Sequence, residues 1–335
     1  MGMNLKKSIV LVIIVMVVPS IPAIVFALLG WGAATEVWIL GTMTGVLAVV
    51  SSSVRLSIPT VVSLGIASAL AVLNQGNPWG SMIIMGACAF IEGLVSVRGL
   101  TSSVSMFAIS VAFFVAQPPV ISTSLSTPQE ALIIGFIAMC AGLWGLLLSG
   151  TVFRKVRFPR GRRLVPKYST VMAIVLGVLV GGTAWVVADR NLGHGGAWLM
   201  MTILIVAQPG ITTTFHRGVQ RAIGTVAGFV IAILLSPFIN QPVPMLIVGL
   251  ALIGAALLVK MDPKNAYWKF VFFLTPGVVL IVGSSGDDGS LLNLAFSRLG
   301  YTILGSLLGL AAVALLFPFY RNSNSQSETV SANSA

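Results

Sequence analysis

"AWLMMTILIVAQPGITTTFHRGVQRAIGTVAGFVIAILL", residues 197–235, consists of two apolar runs separated by a polar hinge that carries Pro209-Gly210, His216, Arg217 and Arg221. Either run alone fits a buried helix of a soluble protein, so the fold depends on whether the pattern recurs. It does: runs of about twenty apolar residues, the length that crosses a hydrocarbon layer roughly 30 Å thick, return along the whole chain. Hydrophobic residues make up 57% of the 335 and charged residues only 8%, a composition outside the range of soluble domains. The chain therefore reads as an all-α, polytopic integral membrane protein.

About twelve spans are predicted, beginning near Ser8, Val37, Ser57, Ser81, Thr101, Ala131, Thr170, Gly196, Ala222, Pro242, Tyr267 and Ala295. The basic segment "FRKVRFPRGRRLVPK" divides them six and six. This predicts a membrane half over 1–152, a cytoplasmic linker over 153–168 held near lipid headgroups, a second half over 169–320, and a disordered polar tail over 321–335. Lysine and arginine are retained on the cytoplasmic side of span ends. With the N-terminus inside, Arg55, Arg98, the 154–167 cluster, Arg217, Arg221, Lys260, Lys269 and Arg321 all fall inside, whereas Glu36, Glu130, Asp189, Asp287 and Asp288 gather outside. Both termini are then cytoplasmic. The net charge of +11 is accounted for by orientation and anionic lipid, without nucleic acid.

The first span has an alternative as a cleaved signal sequence, because Lys6-Lys7 followed by an apolar run suits both; its continuation through Pro19 and Pro22 to Trp31 favours a retained span. Cys88 and Cys140 lie within spans and read as packing residues, so neither a disulfide nor a metal site is expected, and no cofactor is implied.

The halves resemble each other faintly, and a finer pattern lies within the second. Trp198, Pro209-Gly210, Arg221, Thr225 and Gly228 are echoed by Trp268, Pro276-Gly277, Arg298, Thr302 and Gly305, both copies containing Arg-x-x-x-Thr-x-x-Gly. Three spans separate the copies, so they enter the membrane from opposite sides. This predicts inverted 3+3 repeats, the arrangement from which many transporters build one midplane site. Steps of three and four place Arg217, Arg221, Gly224, Thr225 and Gly228 on one helix face, and Arg298, Thr302, Gly305 and Gly309 on another. The glycine pairs permit close helix approach. Pro209-Gly210 and Pro276-Gly277 are predicted to interrupt helices, and a helix N-terminus beside Arg217 and Arg221 attracts anions. The candidate substrate-binding residues are thus Gln208, Arg217, Arg221, Thr225, Arg298 and Thr302. The blander alternative is that Arg217 and Arg221 mark a cytoplasmic loop; Arg298 resists it, since it lies against the charge rule inside an apolar run.

Glu92, in "GACAFIEGLVSVRG", is the acidic residue placed well inside a span. Such a group is either a proton carrier or a structural partner for Arg98 or Arg55. His216 reads as interfacial and His194 as part of a loop. Trp38, Trp79, Trp198, Tyr267 and Trp268 open spans, where aromatic belts lie, although Trp198 and Trp268 could also stack an aromatic substrate.

The series from Trp198 to Leu235, with "YWKFVFFLTPGVVLIVG" and "AFSRLGYTILGSLLGLAAVALL" after it, resembles the membrane domain of the fusaric acid resistance, or aromatic acid exporter, family over roughly Ser169 to Phe317. The resemblance implies a bacterial inner-membrane efflux protein for aromatic or other organic acids that uses the proton gradient and often works with a periplasmic adaptor protein; a more distant likeness to plant malate channels implies the same ligand chemistry. Arg221, Thr225 and Gly228 match its first motif and Arg298, Thr302 and Gly305 its second. Members commonly carry a large cytoplasmic region between the halves, where this chain has the short basic segment.

The reading that follows is a secondary exporter of small organic anions, and not an enzyme, with Arg221 and Arg298 attracting the carboxylate and Glu92 carrying the proton. A homo-oligomer is compatible with it. The alternatives are a passive anion channel on the same pocket and a non-transporting membrane scaffold.

Overall fold

The computed structural model describes residues 21–122, 124–152, 165–207, 211–235, 237–239, 241–261, 265–283 and 291–332. Lys6, Lys7, most of the basic linker, Gln208, Pro209, Gly210, Asp287 and Asp288 lie outside them, so the expectations placed on those residues do too. The described residues form helices and no strands. After α1, described over 21–28, come α2 (Gly32–Ser51), α3 (Val54–Leu73), α4 (Pro78–Val95), α5 (Thr101–Ala116), α6 (Thr127–Val152), α7 (Pro166–Asp189), α8 (Gly193–Val206), α9 (Ile211–Leu235), α10 (Pro242–Met261), α11 (Tyr267–Gly283) and α12 (Leu291–Ala332). Eight of them are long and apolar enough to cross a membrane, while α5, α8 and α11 are shorter apolar helices. The protein is an all-α polytopic membrane protein.

Local chemistry sets the helix ends. Asn77 accepts hydrogen bonds from the amides of Trp79 (3.2 Å) and Gly80 (3.3 Å), and Pro78 occupies the first turn of α4, where its missing N–H costs nothing. The turn from α7 into α8 needs left-handed backbone at Asn191 and Gly193 (φ +50° and +52°), residue types that tolerate it.

Small residues then decide which helices meet. A methyl group added at Gly41 of α2 would lie 2.8 Å from the Ala138 carbonyl of α6, and one at Gly65 of α3 would lie 2.8 Å from that of Gly135, so α6 is wedged between α2 and α3. In the second half α11 is wedged between α9 and α10 in the same way, through Gly228 against the Phe272 carbonyl (2.7 Å) and Gly249 against that of Gly277 (2.9 Å). Without a hydrophobic force between helices in lipid, such backbone approach provides the adhesion. The division at the basic linker is not a packing boundary: α7 runs along α4 through Gly86, Gly93, Ala173 and Gly177.

Two expectations are corrected. Pro276-Gly277 does not interrupt a helix, since α11 continues from Tyr267 to Gly283. The two Pro-Gly pairs were never equivalent in spacing: Pro209 precedes Arg221 by 221 − 209 = 12 residues, and Pro276 precedes Arg298 by 298 − 276 = 22. The absent N–H of Pro276 leaves the Phe272 carbonyl without its usual helical donor at the point where Gly228 of α9 packs, and a proline in a membrane helix is tolerated where neighbouring helices pack against it. Secondly, the polar tail continues α12 as helix to Ala332. After Pro318 it contains neither proline nor glycine, so nothing stops a helix already nucleated in the span.

Candidate functional site

The site is organised by α8. At 14 residues this helix is about 21 Å long, too short to cross a bilayer alone, and its residues are almost all buried within the protein. His194, Trp198 and Thr202 recur at intervals of four and so lie along one face.

Two helices bring arginines to that face from opposite ends. Along α12, Tyr301 packs on Gly195, Gly305 on Leu199 and Thr202, and Gly309 on Val206, so α12 runs parallel to α8. Along α9 the order reverses, with Gly218 against Val206 and Arg221 against Thr202. Arg298 is 298 − 291 = 7 residues, about 10 Å, along α12, and Arg221 is 221 − 211 = 10 residues, about 15 Å, along α9. Both side chains are almost wholly buried, at 2% and 1% exposure. The guanidinium of Arg298 lies over the Trp198 ring, 5.4 Å from its centroid. Arg221 donates from Nε to the Thr202 hydroxyl (3.3 Å) and from Nη1 to the Tyr267 hydroxyl (3.2 Å). Trp198 and Thr202 are one helical turn apart, and the two arginines lie within electrostatic range of each other.

Charge balance gives this geometry its meaning. Among the described residues the ion pairs are Arg190 with Asp189 and His194 with Glu36, so no carboxylate lies within 4 Å of either buried arginine. Nε and Nη1 of Arg298 and Nε1 of Trp198 are buried without a hydrogen-bond partner. Arginine and indole N–H groups only donate. A buried set of donors with surplus positive charge suits an acceptor that is itself negative, and a planar carboxylate meets a guanidinium with two oxygens.

At the far end of the stripe the surroundings turn basic and aromatic. The exposed Arg217 lies 5.0 Å from the Tyr267 ring centroid, and the ammonium of Lys260 lies 4.9 Å from that of Phe270. Cations held over aromatic faces stay fixed yet accessible, which attracts anions toward Arg221.

Most residues predicted from the sequence come together here. Thr225 and Thr302 are buried one turn beyond Arg221 and Arg298. A methyl group added at Gly224 would lie 2.5 Å from the Trp268 carbonyl oxygen, and Gly228, Gly305 and Gly309 line the seams described above. Arg221 is not a loop residue. Trp198 is not in an interfacial belt, being fully buried, whereas Trp79 is 61% exposed, as a belt residue should be. His194 is not in a loop but inside α8, 3% exposed, with Nε2 3.6 Å from Glu36 Oε1. His216 is exposed and contacts Gln220, as an interfacial residue does. Pro276 belongs to the α9–α11 seam and Gly277 to the α10–α11 seam, not to a second helix break.

Glu92 lies elsewhere, on α4 against α5, where the Ser105 hydroxyl donates to its Oε1 at 2.5 Å and its Oε2 is buried without a partner. Neither Arg98 nor Arg55 pairs with it. Glu130 is a structural acid that accepts the amides of Ile121 (2.6 Å) and Ser122 (3.3 Å). Sequence reasoning missed Thr202, Tyr267 and His194 as members of the site; the signal that could have found two of them is the i, i+4 stripe on a helix too short to span.

Comparison with known proteins agrees with the resemblance. Residues 183–312, which hold both arginines and all of α8, match the family model described as fusaric acid resistance protein-like. An uncharacterised protein of Haemophilus influenzae is 34% identical over 131 residues, which cover 39% of this chain and 17% of that one. Inner membrane protein YccS of Escherichia coli is 28% identical over 131 residues, with the same coverage of 39% and 17%. Aluminum-activated malate transporter 1 of wheat, Triticum aestivum, is 23% identical over 207 residues, covering 56% of this chain and 45% of the transporter. The chain thus spans less than half the length of the curated relatives it matches. No solved structure matches it.

Proposed function

We propose that this protein is a secondary transporter that exports small organic anions, aromatic acids among them, across the bacterial inner membrane at the expense of the proton gradient. The observation that carries this reading is the convergence of Arg221 and Arg298 on one face of α8, buried, with surplus donors and no acid partner among the described residues. An arginine inside an apolar span costs about 3 kcal/mol, and a cost not relieved by an ion pair points to a ligand. The family description supports resistance to an organic acid, the name of the wheat relative supports carboxylate transport, and that of the Escherichia coli relative supports the inner membrane.

In this reading the carboxylate is drawn past Arg217 and Lys260, passes Arg221 and Thr202, and is held between Arg298 and the indole of Trp198, where an aromatic ring stacks and an aliphatic chain packs. With both termini cytoplasmic, Arg217 marks the inner end of this route and His194 the outer. Glu92, the acid expected from the sequence, carries the proton from its separate position on α4. A periplasmic adaptor and a homo-oligomer remain proposed partners of the whole assembly.

The test is flux of [14C]benzoate and [14C]malate in proteoliposomes. Accumulation driven by an imposed pH gradient, with counterflow at zero gradient and loss of gradient drive in Glu92→Gln, is the expected result. Flux that follows membrane potential alone, without counterflow, identifies a channel, and no flux of either anion overturns the reading.

A further inference from the structure

Buried His194 and part-exposed Glu36 form a contact that terminates the same stripe that holds the arginines. His194 opens α8, one turn before Trp198, with the two rings 6.4 Å apart. Its Nε2 lies 3.6 Å from Oε1 of Glu36, which sits in the first turns of α2. Helix α5 packs against both α2 and α8 and places Phe113 beside the imidazole, 6.3 Å between centroids, and Gln117 near Gly193. The pair therefore spans α5 and ties the α2–α3–α6 unit to the helix that carries the site.

Histidine is the side chain that ordinarily changes charge near neutral pH. We propose that Glu36 and His194 form a proton-operated latch: uptake of one proton by the imidazole turns the contact into a full ion pair that fastens α2 to α8, and loss of that proton releases it. No other bond is made or broken. The groups around the imidazole fit such a role. Glu36 on α2 attracts the imidazolium. From α12, Arg298 beyond Trp198 repels it, and Tyr301 packs on Gly195. On α7, Asp189 and Arg190 pair with each other. The described part of α5 carries no titratable side chain, and on α9 Arg221, Arg217 and His216 lie progressively farther along the stripe. A latch at this end separates the arginine site from bulk water when protonated and opens it when neutral. The coupling to transport rests on the function proposed above, whereas the protonation itself does not.

Two readouts keep these apart. An imidazolium quenches a neighbouring indole, so the full-length protein in nanodiscs is titrated by tryptophan fluorescence between pH 5 and 8, with Trp198→Phe as the reference that isolates Trp198. The expected result is a one-proton quenching step that disappears in His194→Gln and moves by about one pH unit to lower pH in Glu36→Gln, where the stabilising charge is gone. An unchanged step in His194→Gln, or an unmoved midpoint in Glu36→Gln, overturns the latch. Glu36 is part-exposed, so Glu36→Gln serves even if the buried histidine proves needed for folding. The second readout is the pH profile of [14C]benzoate counterflow, expected to flatten in both variants. Normal flux with an unaltered profile in both rejects the latch; a fluorescence step without any flux of benzoate or malate leaves it standing and rejects the transport reading.

Discussion

The two halves of the molecule use one packing device to different ends. In the first half α6 is wedged between α2 and α3 by glycine contacts, and hydroxyls at the neighbouring contacts pair with one another: Thr44 of α2 bonds Ser110 of α5 at 2.9 Å, and Ser52 at the end of α2 bonds Ser57 of α3 at 3.4 Å. Thr44 and Ser52 each also donate to a backbone carbonyl, so these pairs are satisfied within the protein; among the described residues the unpartnered buried atoms of this half, Thr42 Oγ1 and Glu92 Oε2 included, are oxygens and not cationic donors. In the second half the wedge of α11 between α9 and α10 is built the same way, but the adjoining α8–α9–α12 contact holds two guanidinium groups and an indole with donors left over. Small-residue packing is therefore scaffold in both halves, and the proposed anion site lies in the half where the packing encloses arginines. The arginines themselves divide the labour. Arg221 is held by Thr202 and Tyr267, whereas Arg298 rests on Trp198 with two nitrogens left without a hydrogen-bond partner.

The largest effect is expected from the under-bonded arginine. Arg298→Gln should lower [14C]benzoate counterflow by about ten- to a hundredfold, the worth of a charge-assisted bond pair. Its thermal unfolding temperature should stay level or rise, because an unpaired buried charge stabilises nothing. A loss of stability matching the loss of flux would make Arg298 structural and erase the contrast between the halves.

Matched glycine variants test the part the halves share. A side chain at Gly305 would meet Thr202 Cβ at 2.8 Å, and one at Gly41 would meet Ala141 Cβ at 2.8 Å. Gly305→Val and Gly41→Val should each cost about 1–3 kcal/mol, read as similar falls in unfolding temperature. In protein that remains folded, only Gly305→Val should weaken benzoate binding. Tyr267→Phe removes one acceptor from Arg221 and should weaken binding about fivefold, as one hydrogen bond of about 1 kcal/mol does. Thr44→Val with Ser110→Ala should change counterflow by less than about twofold, since it removes a bond from scaffold alone. A larger effect there would extend the site into the first half.

How much of this could be read from the sequence follows from what each signal measures. Apolar run length reports the medium, and among the described residues it located most of the helices near their places, although α9 begins at Ile211 and not near Ala222. Arg298 was legible because an arginine within an apolar run violates both hydropathy and the charge rule, and so needs a local reason. Arg221 was less so, since the same residue at a cytoplasmic helix end obeys the charge rule, and only its burial separates the two cases. Trp198 was misread because hydropathy does not distinguish a helix surrounded by lipid from one surrounded by protein; α8, apolar nearly all round, reads alike in both. His194 looked like a loop residue beside glycines, although Gly193 only turns the chain into a buried helix. Pro276 shows the converse error, for a proline within an apolar span is tolerated where neighbouring helices pack closely, and the residue packed there, Gly228, is remote in sequence.

The central claim is that Arg221 and Arg298 together hold an organic anion inside the membrane. Equilibrium binding of [14C]benzoate and [14C]malate to the purified full-length protein, against Arg221→Gln/Arg298→Gln of matched unfolding temperature, tests it most directly. The account predicts saturable binding of at least one of these anions by the first and none by the second; equal binding by both would contradict it.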